Sequence, residues 1–275
     1  MKEKFAFIND SFIEEDKAML HISDLGILRG YGIFDFFRTV NYLPLFLEDH
    51  LDRFFNSAFT MRLQLETTRE ELKDIIHQLI LKNDIPASGI RILLTGGYST
   101  DGYQCTAPNL IITHHPITQR SPESFSKGIK VITHEYRREL PDVKTTNYIM
   151  GIWLEEKIKQ AEADDVLYYF NGEISECPRS NFFIVTRDDV IVTPGQNILK
   201  GITRMKTIEV AKKDYEVEQR IVTMDDIRFA RETFLTSTTR RIVPIVQVND
   251  MIISNGRPGT VTTRLDKSLA MMIGE

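Results

Sequence analysis

DVKTTNY at residues 142–148 and ISECPRSNFF at residues 174–183 are the two stretches that decide the fold of this chain. The apolar pattern that follows Lys144 predicts a helix over residues 145–160, which this lysine opens. Glu176 stands between two apolar runs that are typical of strands. An isolated lysine is usually solvated, so the pair carries more information than either residue alone.

Length and composition are those of an ordinary soluble globular protein. The 275 residues are enough for one large or two medium domains, and 42% of them are apolar and 27% charged. A net charge of −5 gives no general attraction to nucleic acid or anionic lipid. No apolar run is long enough to cross a bilayer, and Met1–Lys4 leads into a strand-like segment rather than a signal peptide. We therefore expect a cytoplasmic protein that binds neither nucleic acid nor a membrane.

The cysteines and histidines do not predict a disulfide scaffold or a metal site. Cys105 and Cys177 are too few for a scaffold and lack metal-site spacing. None of the six histidines forms an HExxH motif or a helical i, i+4 pair. His114 and His115 end an apolar run, and strand neighbours point to opposite faces. We predict that they mark a strand end at the surface.

The first half of the chain alternates strands with two helices. Asn9-Asp10, between two short apolar runs, predicts a hairpin. One helix is predicted over residues 46–61, and a second begins at Thr68 with Glu71 three residues later, the capping-box pattern. Further strands are predicted over residues 90–94 and 110–112.

The second half adds strands that are predicted over residues 165–170, 182–186, 190–193, 233–237 and 242–248. It also adds a helix predicted over residues 202–213 and a short C-terminal helix. This order mixes strands and helices without regular βαβ spacing, so we predict an α+β architecture. Two domains are predicted, over residues 1–116 and 128–275, joined by the Ser-, Pro- and charge-rich linker 117–127. A junction between domains is a natural place for a cofactor cleft.

Three segments have the groups that bind a phosphate ester: backbone N–H groups, hydroxyls and a guanidinium. Residues 198–204 turn at Gly201 and enter a helix, whose first N–H groups are unpaired. Residues 236–239, TSTT, end a strand with four hydroxyls. Arg53 lies on the first long helix. Each signal alone is weak, because the glycine fits an ordinary turn, the threonines a cap and the arginine a solvated charge.

Together these segments resemble the fold-type IV (class IV) pyridoxal-phosphate aminotransferases, because five separate segments occur in that family's order and approximate spacing, from about His21 to Ile245. The resemblance implies a two-domain homodimer with pyridoxal 5′-phosphate in the cleft between domains. It implies that Lys144 forms a Schiff base with the cofactor aldehyde and that Glu176 binds the pyridine nitrogen. The other cofactor contacts it implies are Arg53, Tyr148, Gly201, Ile202, Thr203, Ser237 and Thr238.

The two principal residues have definite expected roles. Lys144 must be neutral part of the time to attack an aldehyde, and its released amine is expected to move the proton between the donor α-carbon and the cofactor. An ionised Glu176 keeps the pyridine nitrogen protonated, which makes the ring an electron sink. Tyr148, one helical turn beyond Lys144, faces either the cofactor or the core, and both alternatives stay open.

LRGYGIFDFFR at residues 28–38 resembles the family's glycine-containing loop and the strand after it. Most aminotransferases of the family have glutamate where this chain has Asp35, and the lyase branch usually has a small hydroxyl residue, so Asp35 favours an aminotransferase. A guanidinium binds a carboxylate through two bonds, which makes Arg29 and Arg91 candidates for the donor α-carboxylate. The alternatives are a solvated loop position for Arg29 and a structural ion pair, for example with Asp35, for Arg91. The predicted substrate contacts are Arg29, Phe34, Asp35, Arg91 and Thr239.

The spacing after the lysine narrowly favours one subfamily. Two residues separate Lys144 from Asn147-Tyr148, as in D-amino acid aminotransferases and aminodeoxychorismate lyases, whereas branched-chain aminotransferases typically have three. The typical D-amino acid enzyme has an arginine where this chain has Gly96, so Arg29 and Arg91 are expected to replace it. We predict an atypical D-amino acid aminotransferase that acts on small amino and 2-oxo acids. The alternatives are a branched-chain L-amino acid aminotransferase, a 4-amino-4-deoxychorismate lyase and a non-enzymatic protein that keeps the fold.

Overall fold

A computed structural model describes residues 3–117 and 122–275 and divides the chain into two compact units. Unit 1 contains the described residues up to Ile117 together with Val143–Asn147, and unit 2 contains the other described residues. Of the linker predicted over residues 117–127, residues 118–121 lie outside the described residues, and Pro122–Ser126 form a short helix.

Unit 1 is an antiparallel sheet with two long helices. Its strands are β1 (Phe5–Ile8), β2 (Ser11–Glu14), β3 (Gly32–Val40), β4 (Leu43–Pro44), β5 (Ser88–Thr95) and β6 (Leu110–Pro116), and its helices are α1 (Leu25–Arg29), α2 (Leu47–Thr60) and α3 (Arg69–Asn83). The strand order is β2-β1-β6-β5-β3-β4. The predicted helix over 46–61 is confirmed, as are the Thr68–Glu71 capping box of α3 and the β1–β2 hairpin.

The two faces of this sheet differ in composition. On β3, Ile33 and Phe37 point inward and join Leu51 and Phe54 of α2 in the core of unit 1. Phe34 and the other outward residues of β3 are only half-buried, because successive strand residues point to opposite faces. The outer face of β3 and β5 is therefore open to carry a site.

The placement of His114 differs from the prediction. β6 continues to Pro116, and His114 lies on the inner face of the sheet with 1% of its surface exposed. The apolar run ends at Thr113, but the strand does not, because its pairing with β5 extends to Pro116. The prediction of a surface strand end is wrong for this residue.

The predicted helix over residues 145–160 begins later than expected. The Thr146 amide donates to the Gly32 carbonyl at 3.0 Å and the Phe34 amide to the Lys144 carbonyl at 2.9 Å, so the segment at Lys144 runs beside β3 in an extended form. β-branched threonines favour such pairing. Contacts of this kind place Val143–Asn147 in unit 1, whereas the domain prediction assigned them to the C-terminal domain. Helical structure begins at Ile149.

Unit 2 contains a large mixed sheet with flanking helices. Its strands are β7 (Ile129–Glu135), β8 (Asp165–Phe170), β9 (Glu173–Ile174), β10 (Glu176–Cys177), β11 (Ser180–Val185), β12 (Ile191–Pro194), β13 (Val217–Arg220), β14 (Val222–Thr223), β15 (Glu232–Ser237), β16 (Arg241–Val248) and β17 (Met251–Ile252). Its helices are α4 (Pro122–Ser126), α5 (Ile149–Trp153), α6 (Glu155–Gln160), α7 (Ile202–Ala211), α8 (Met224–Phe229) and α9 (Thr260–Ile273). The strand order is β13-β12-β11-β15-β16-β7-β8-β9-β14, with β10 beside β11 and β17 beside β16.

The α+β architecture predicted from the sequence is confirmed, and the helix predicted over 202–213 corresponds to α7. Within residues 3–117 and 122–275, no helix has the length and hydropathy that a bilayer span requires. The same residues contain no His, Cys, Asp and Glu cluster suited to a metal ion.

Candidate active site

Lys144 lies on the extended segment beside β3. Its Nζ is 4.6 Å from the centre of the Phe34 ring. Val143, one residue earlier, is buried in the core of unit 1. The Thr146 hydroxyl donates to the Gly30 carbonyl at 2.7 Å, which ties the segment to the glycine loop. The lysine backbone is therefore held on both sides, while its side chain extends over an aromatic ring.

Arg91 and Arg29 both lie at the surface of unit 1. Arg91 is exposed on the outer face of β5, opposite Phe36, with its Cζ 5.8 Å from the centre of the Phe34 ring. Arg29 is the last residue of α1, and Gly30 ends that helix in the left-handed conformation, with φ 64°. The exposed Arg29 guanidinium donates to the Leu28 carbonyl at 3.0 Å.

Asp35 lies on the inner face of β3, opposite to Phe34. It is 0% exposed, and its carboxylate binds Arg53 and His50 of α2. It is therefore held inside unit 1 rather than beside Phe34 on the open face. The Asp35 ion pair that was the alternative for Arg91 is made by Arg53 instead.

Glu176 is buried in unit 2, where an amide, a carboxamide and a guanidinium contact its carboxylate. Its carboxylate accepts from the Leu199 amide at 3.0 Å and from Asn181 Nδ2 at 3.1 Å. Arg138 Nε is 3.3 Å from the other carboxylate oxygen. A buried carboxylate with a guanidinium beside it is favoured in its ionised form.

The turn at Gly201 adjoins the Glu176 site. Asn181 donates to both Glu176 and the Leu199 carbonyl, and a Cβ at Gly201 would lie 2.1 Å from Asn181 Oδ1, so only glycine fits. Gly201 caps α7 without a side-chain hydrogen bond. Among the described residues, the amides of Ile202 and Thr203 have no acceptor.

Arg204 lies buried behind this turn. It donates to the Thr193 hydroxyl, the Pro194 carbonyl and the Gln219 side chain. Burial lowers the pKa of Arg204 to about 10, so it is cationic at neutral pH. Its positive charge adds to that of the α7 N-terminus, where an anion would be stabilised.

The hydroxyl segment forms the turn between β15 and β16. Ser237 Oγ accepts from the Arg240 amide at 3.3 Å, and Thr238 and Thr239 are half-buried. The Thr236 hydroxyl is buried and has no hydrogen-bond partner within the described ranges. Such an unsatisfied buried hydroxyl is unusual and calls for a ligand or water. Tyr148 is half-buried at the N-cap of α5, so it is not one helical turn beyond Lys144.

The predicted residues fall into two groups, one in each unit. In unit 1, Lys144 and Arg91 lie beside the Phe34 ring, and Arg53 pairs with the buried Asp35. In unit 2, Glu176 and the Gly201 turn are joined through Asn181. The Ser237–Thr239 turn follows β15, whose Thr236 pairs with Asn181.

The sequence analysis missed four residues of these groups. Asn181 and Arg138 contact Glu176, Leu199 supplies an amide to it, and His50 contacts Asp35. His50 carried a usable signal, because it lies three residues from Arg53 on a predicted helix and so shares its face. Arg138 and Leu199 are distant in sequence from Glu176, and no local pattern links them.

Comparison with known proteins gives the family. The model of the family described as amino-transferase class IV matches residues 32–248. The chain belongs to the class IV aminotransferases. This confirms the family resemblance and the enzyme class inferred from the sequence.

Relatives of this class IV chain differ in the substrates that their names give. A putative branched-chain-amino-acid aminotransferase of Methanocaldococcus jannaschii is 30% identical, over 94% of this chain and 93% of the relative. A D-alanine aminotransferase of Bacillus licheniformis is 27% identical, over 95% of this chain and 94% of the relative. The solved T.th. branched-chain amino acid aminotransferase with pyridoxamine 5′-phosphate is 25% identical, with a TM-score of 0.91 over 100% of this chain and 95% of that one. The fold-type IV architecture is thereby confirmed.

Proposed function

We propose that this protein is a pyridoxal 5′-phosphate-dependent aminotransferase that moves an amino group from a D-amino acid to a 2-oxo acid. The two half-reactions would use one cofactor in a ping-pong sequence. The observation that carries the proposal is the Phe34 ring, which is within cation–π range of both Lys144 Nζ and the Arg91 guanidinium. A nucleophilic amine and a carboxylate-binding group thus lie beside one aromatic side chain.

The residues present fit the two ends of this cofactor. Its phosphate needs N–H and hydroxyl donors, and the Ile202 and Thr203 amides and the unsatisfied Thr236 hydroxyl are such groups within the described part of the chain. Its ring nitrogen needs an ionised acid, and Glu176 is a buried carboxylate with Arg138 beside it. Ser237, Thr238 and Arg53 would complete the phosphate contacts, and Tyr148 would line the same site.

Each residue has a role that follows from its chemistry. When bound, the cofactor supplies an aldehyde that takes up the amino group and a ring that withdraws electrons from the donor α-carbon. Lys144 is the residue that would hold the aldehyde, and its amine would carry the proton removed from the donor α-carbon. Glu176 would hold a proton on the ring nitrogen. Arg91 binds the donor carboxylate and so orients the α-carbon toward Lys144.

Two observations support a D-amino acid as donor. The two-residue spacing between Lys144 and Asn147 is the one expected of that subfamily, and D-alanine aminotransferases are among the relatives. Position 96 is a glycine, so the arginine of the typical enzyme is missing there. Arg91, with Arg29 on α1, is the proposed replacement for that carboxylate contact.

A branched-chain L-amino acid is the second candidate donor. Phe34 and Phe36 give the outer face of β3 an apolar surface, and the relative at 30% identity is named a putative branched-chain-amino-acid aminotransferase. Hydrophobic side chains of the donor would pack on these rings.

A donor screen tests the proposal. The purified chain, loaded with pyridoxal 5′-phosphate, is mixed separately with D-alanine, D-glutamate, L-leucine and L-glutamate, and the conversion of the bound cofactor to its amine form is followed by absorbance. We expect conversion by the D-amino acids. Lys144→Ala is expected to abolish covalent cofactor attachment, measured by mass spectrometry after borohydride reduction, and nearly all turnover.

The other results of this screen have equally definite meanings. Conversion by L-leucine alone would establish the second candidate. No conversion by any donor, together with pyruvate release from aminodeoxychorismate, would make the protein a lyase. Failure of the wild-type chain to attach the cofactor would overturn the whole proposal.

We also propose that the protein acts as a cytoplasmic homodimer. Exposed apolar side chains lie on α1 and in the segments of unit 1 near it, and a second copy of the chain would cover them. They are Met19, Ile22, Ile27, Leu28, Tyr98 and Tyr103. Both cysteines are free thiols, which suits a reducing compartment.

A further inference from the structure

Asp35, His50 and Arg53 form a buried polar cluster between β3 and α2. Arg53 donates to the Asp35 carboxylate through Nε and through Nη2, each at 2.8 Å. His50 Nδ1 is 2.7 Å from one of the same oxygens. The Phe36 amide donates to that oxygen as well, at 2.7 Å. A two-bond contact of this kind fixes both the plane and the direction of a guanidinium.

The charges of the cluster follow from its surroundings. Burial alone would raise the pKa of Asp35, but the Arg53 guanidinium and His50 hold it well below its usual range. Burial lowers the pKa of His50 more than Asp35 raises it, so its imidazole is neutral at neutral pH. The cluster therefore contains one anion, one cation and one neutral ring. His50 uses its Nδ1–H to hold the carboxylate and adds no charge.

The cluster lies close to Lys144, the lysine that is predicted to bind the cofactor. The Phe34 amide donates to the Lys144 carbonyl at 2.9 Å, and Asp35 is the next residue of β3. Arg53 is more exposed than its carboxylate partner, with 10% of its side chain exposed against 0% for Asp35. The carboxylate is the inner member of the pair and the guanidinium the outer one.

We propose that Asp35, assisted by His50, is a positioning residue that aims the Arg53 guanidinium at the phosphate monoester of the cofactor. This inference rests on the proposed function. It assigns Asp35 a role different from the substrate contact expected from the sequence, because an aspartate enclosed on the inner face acts through Arg53. The arginine alone would have several rotamers, and the two-bond contact selects one of them.

Two ligands that differ only in the phosphate test this role. Pyridoxal 5′-phosphate and pyridoxal are titrated separately into the cofactor-stripped full-length chain, and the Kd of each is measured by absorbance. Asp35→Asn is expected to weaken binding of the phosphorylated ligand about 10-fold or more, the usual effect of removing a group that orients a ligand-binding residue. Pyridoxal affinity should not change. Arg53→Ala should show the same selectivity, and the double variant should bind no more weakly than Arg53→Ala alone.

Asp24→Asn is the matched control. Asp24 is also a fully buried aspartate of unit 1, but its carboxylate is held by Gly26, Thr95 and Asn109, none of which is charged. Its replacement should alter the two affinities equally or not at all. His50→Gln is a milder variant that should show a smaller loss of the same kind, and it serves if Asp35→Asn does not fold.

The inference fails if Asp35→Asn, or His50→Gln in its place, weakens both ligands equally, or if the phosphorylated ligand binds it as tightly as it binds the parent. Additive losses in the double variant would also overturn it. If the parent chain binds neither ligand at Lys144, the proposed function fails instead, so the two failures are distinguishable.

Discussion

Each unit of this protein contains a buried carboxylate beside an arginine, but the two pairs are built differently. In unit 1, Asp35 receives two aligned hydrogen bonds from Arg53. In unit 2, Glu176 receives its aligned hydrogen bonds from an amide and from Asn181, and Arg138 Nε makes a charge contact at 3.3 Å. The aspartate thus has an arginine as an aligned donor, whereas the aligned donors to the glutamate are neutral groups and Arg138 makes a charge contact.

This difference suggests opposite roles for the two pairs. A carboxylate that is completely enclosed can act only through the group it holds, which is Arg53. A carboxylate whose direction is set by neutral groups can use its charge to bind a ligand. Arg138 stabilises that charge in its buried position. The first pair therefore suits a guanidinium that binds an anionic group, and the second suits an acid that holds a proton on a ligand.

Glu176→Gln is expected to give the largest effect on turnover. Glutamine keeps the size of the side chain and can accept from the Leu199 amide, but it has no charge to hold a proton on the ring nitrogen. The rate of the first half-reaction should fall on the order of 10²-fold, as when one preorganised electrostatic contact is removed. Stopped-flow absorbance measures it, and cofactor retention should be unaffected.

Glu232→Gln is the control for this prediction. Glu232 is a buried glutamate of unit 2 whose carboxylate accepts from the amides of Val261 and Thr262 at the start of α9. Its replacement should leave the half-reaction rate unchanged. Equal rates for Glu176→Gln and the parent would show that Glu176 does not act on the cofactor ring.

Local patterns predicted the helices well, and tertiary pairing accounts for the main errors. The capping box at Thr68 is decided within four residues, so the start of α3 could be predicted. The segment at Lys144 has no such local signal, and its pairing with β3 is a contact between residues more than one hundred positions apart. No pattern near residue 145 could have revealed it.

The same distinction holds for the site. Lys144 and Glu176 were found through family-like motifs in their own segments, and those motifs are local. The partners of Glu176 come from Arg138, Asn181 and Leu199, and only Asn181 lies within the same motif. Which groups neutralise a buried charge is decided by packing, so the sequence alone could not supply them.

Arg138→Met is expected to have a smaller effect. The variant loses the guanidinium beside the buried Glu176 carboxylate, so the charge that would hold a proton on the ring nitrogen is less well stabilised. The half-reaction rate should fall about 10-fold, in the range typical of residues that support a ligand-binding group. Stopped-flow absorbance measures it.

Arg138→Lys separates charge from shape. It keeps the positive charge and should recover most of the rate. Arg220→Met is the matched control, because Arg220 pairs with Glu218 and Asp226 in a more exposed part of unit 2. If the lysine variant were as slow as the methionine variant, the charge contact would not be what supports Glu176.

His114 extends the comparison to a buried ionisable group that has no partner. Both of its ring nitrogens are buried without a hydrogen-bond partner among the described residues. Burial, with smaller contributions from His115 and Lys4, lowers the pKa of His114 to about 4. His50 is buried to a similar degree but is held by Asp35. His50 thus has a partner and belongs to a cluster with a proposed role, whereas His114 has no partner among the described residues and no assigned role.

His114 should affect the free energy of unfolding but not the rate of turnover. The unfolded chain binds a proton at His114 below a pH of roughly 6.5, whereas the folded protein resists it until about pH 4. The contribution of the neutral ring to the free energy of unfolding is therefore complete above the pKa that His114 has in the unfolded chain. It is lost as the pH falls from that value toward the pKa of the folded protein. At pH 5 the loss is about 2 kcal/mol. His114→Leu should remove it, so that the variant is more stable relative to the parent at pH 5 than at pH 7.

Urea unfolding of the parent and of His114→Leu at pH 5 and pH 7 measures the difference in their free energies of unfolding. His77→Gln is the control because His77 is exposed on α3. The control should show the pH dependence of the parent. If His114→Leu loses stability between pH 7 and pH 5 as steeply as the parent does, His114 is not the group that titrates. The acid sensitivity of unit 1 would then have to come from its paired clusters, and the contrast between partnered and orphaned groups would lose its energetic basis.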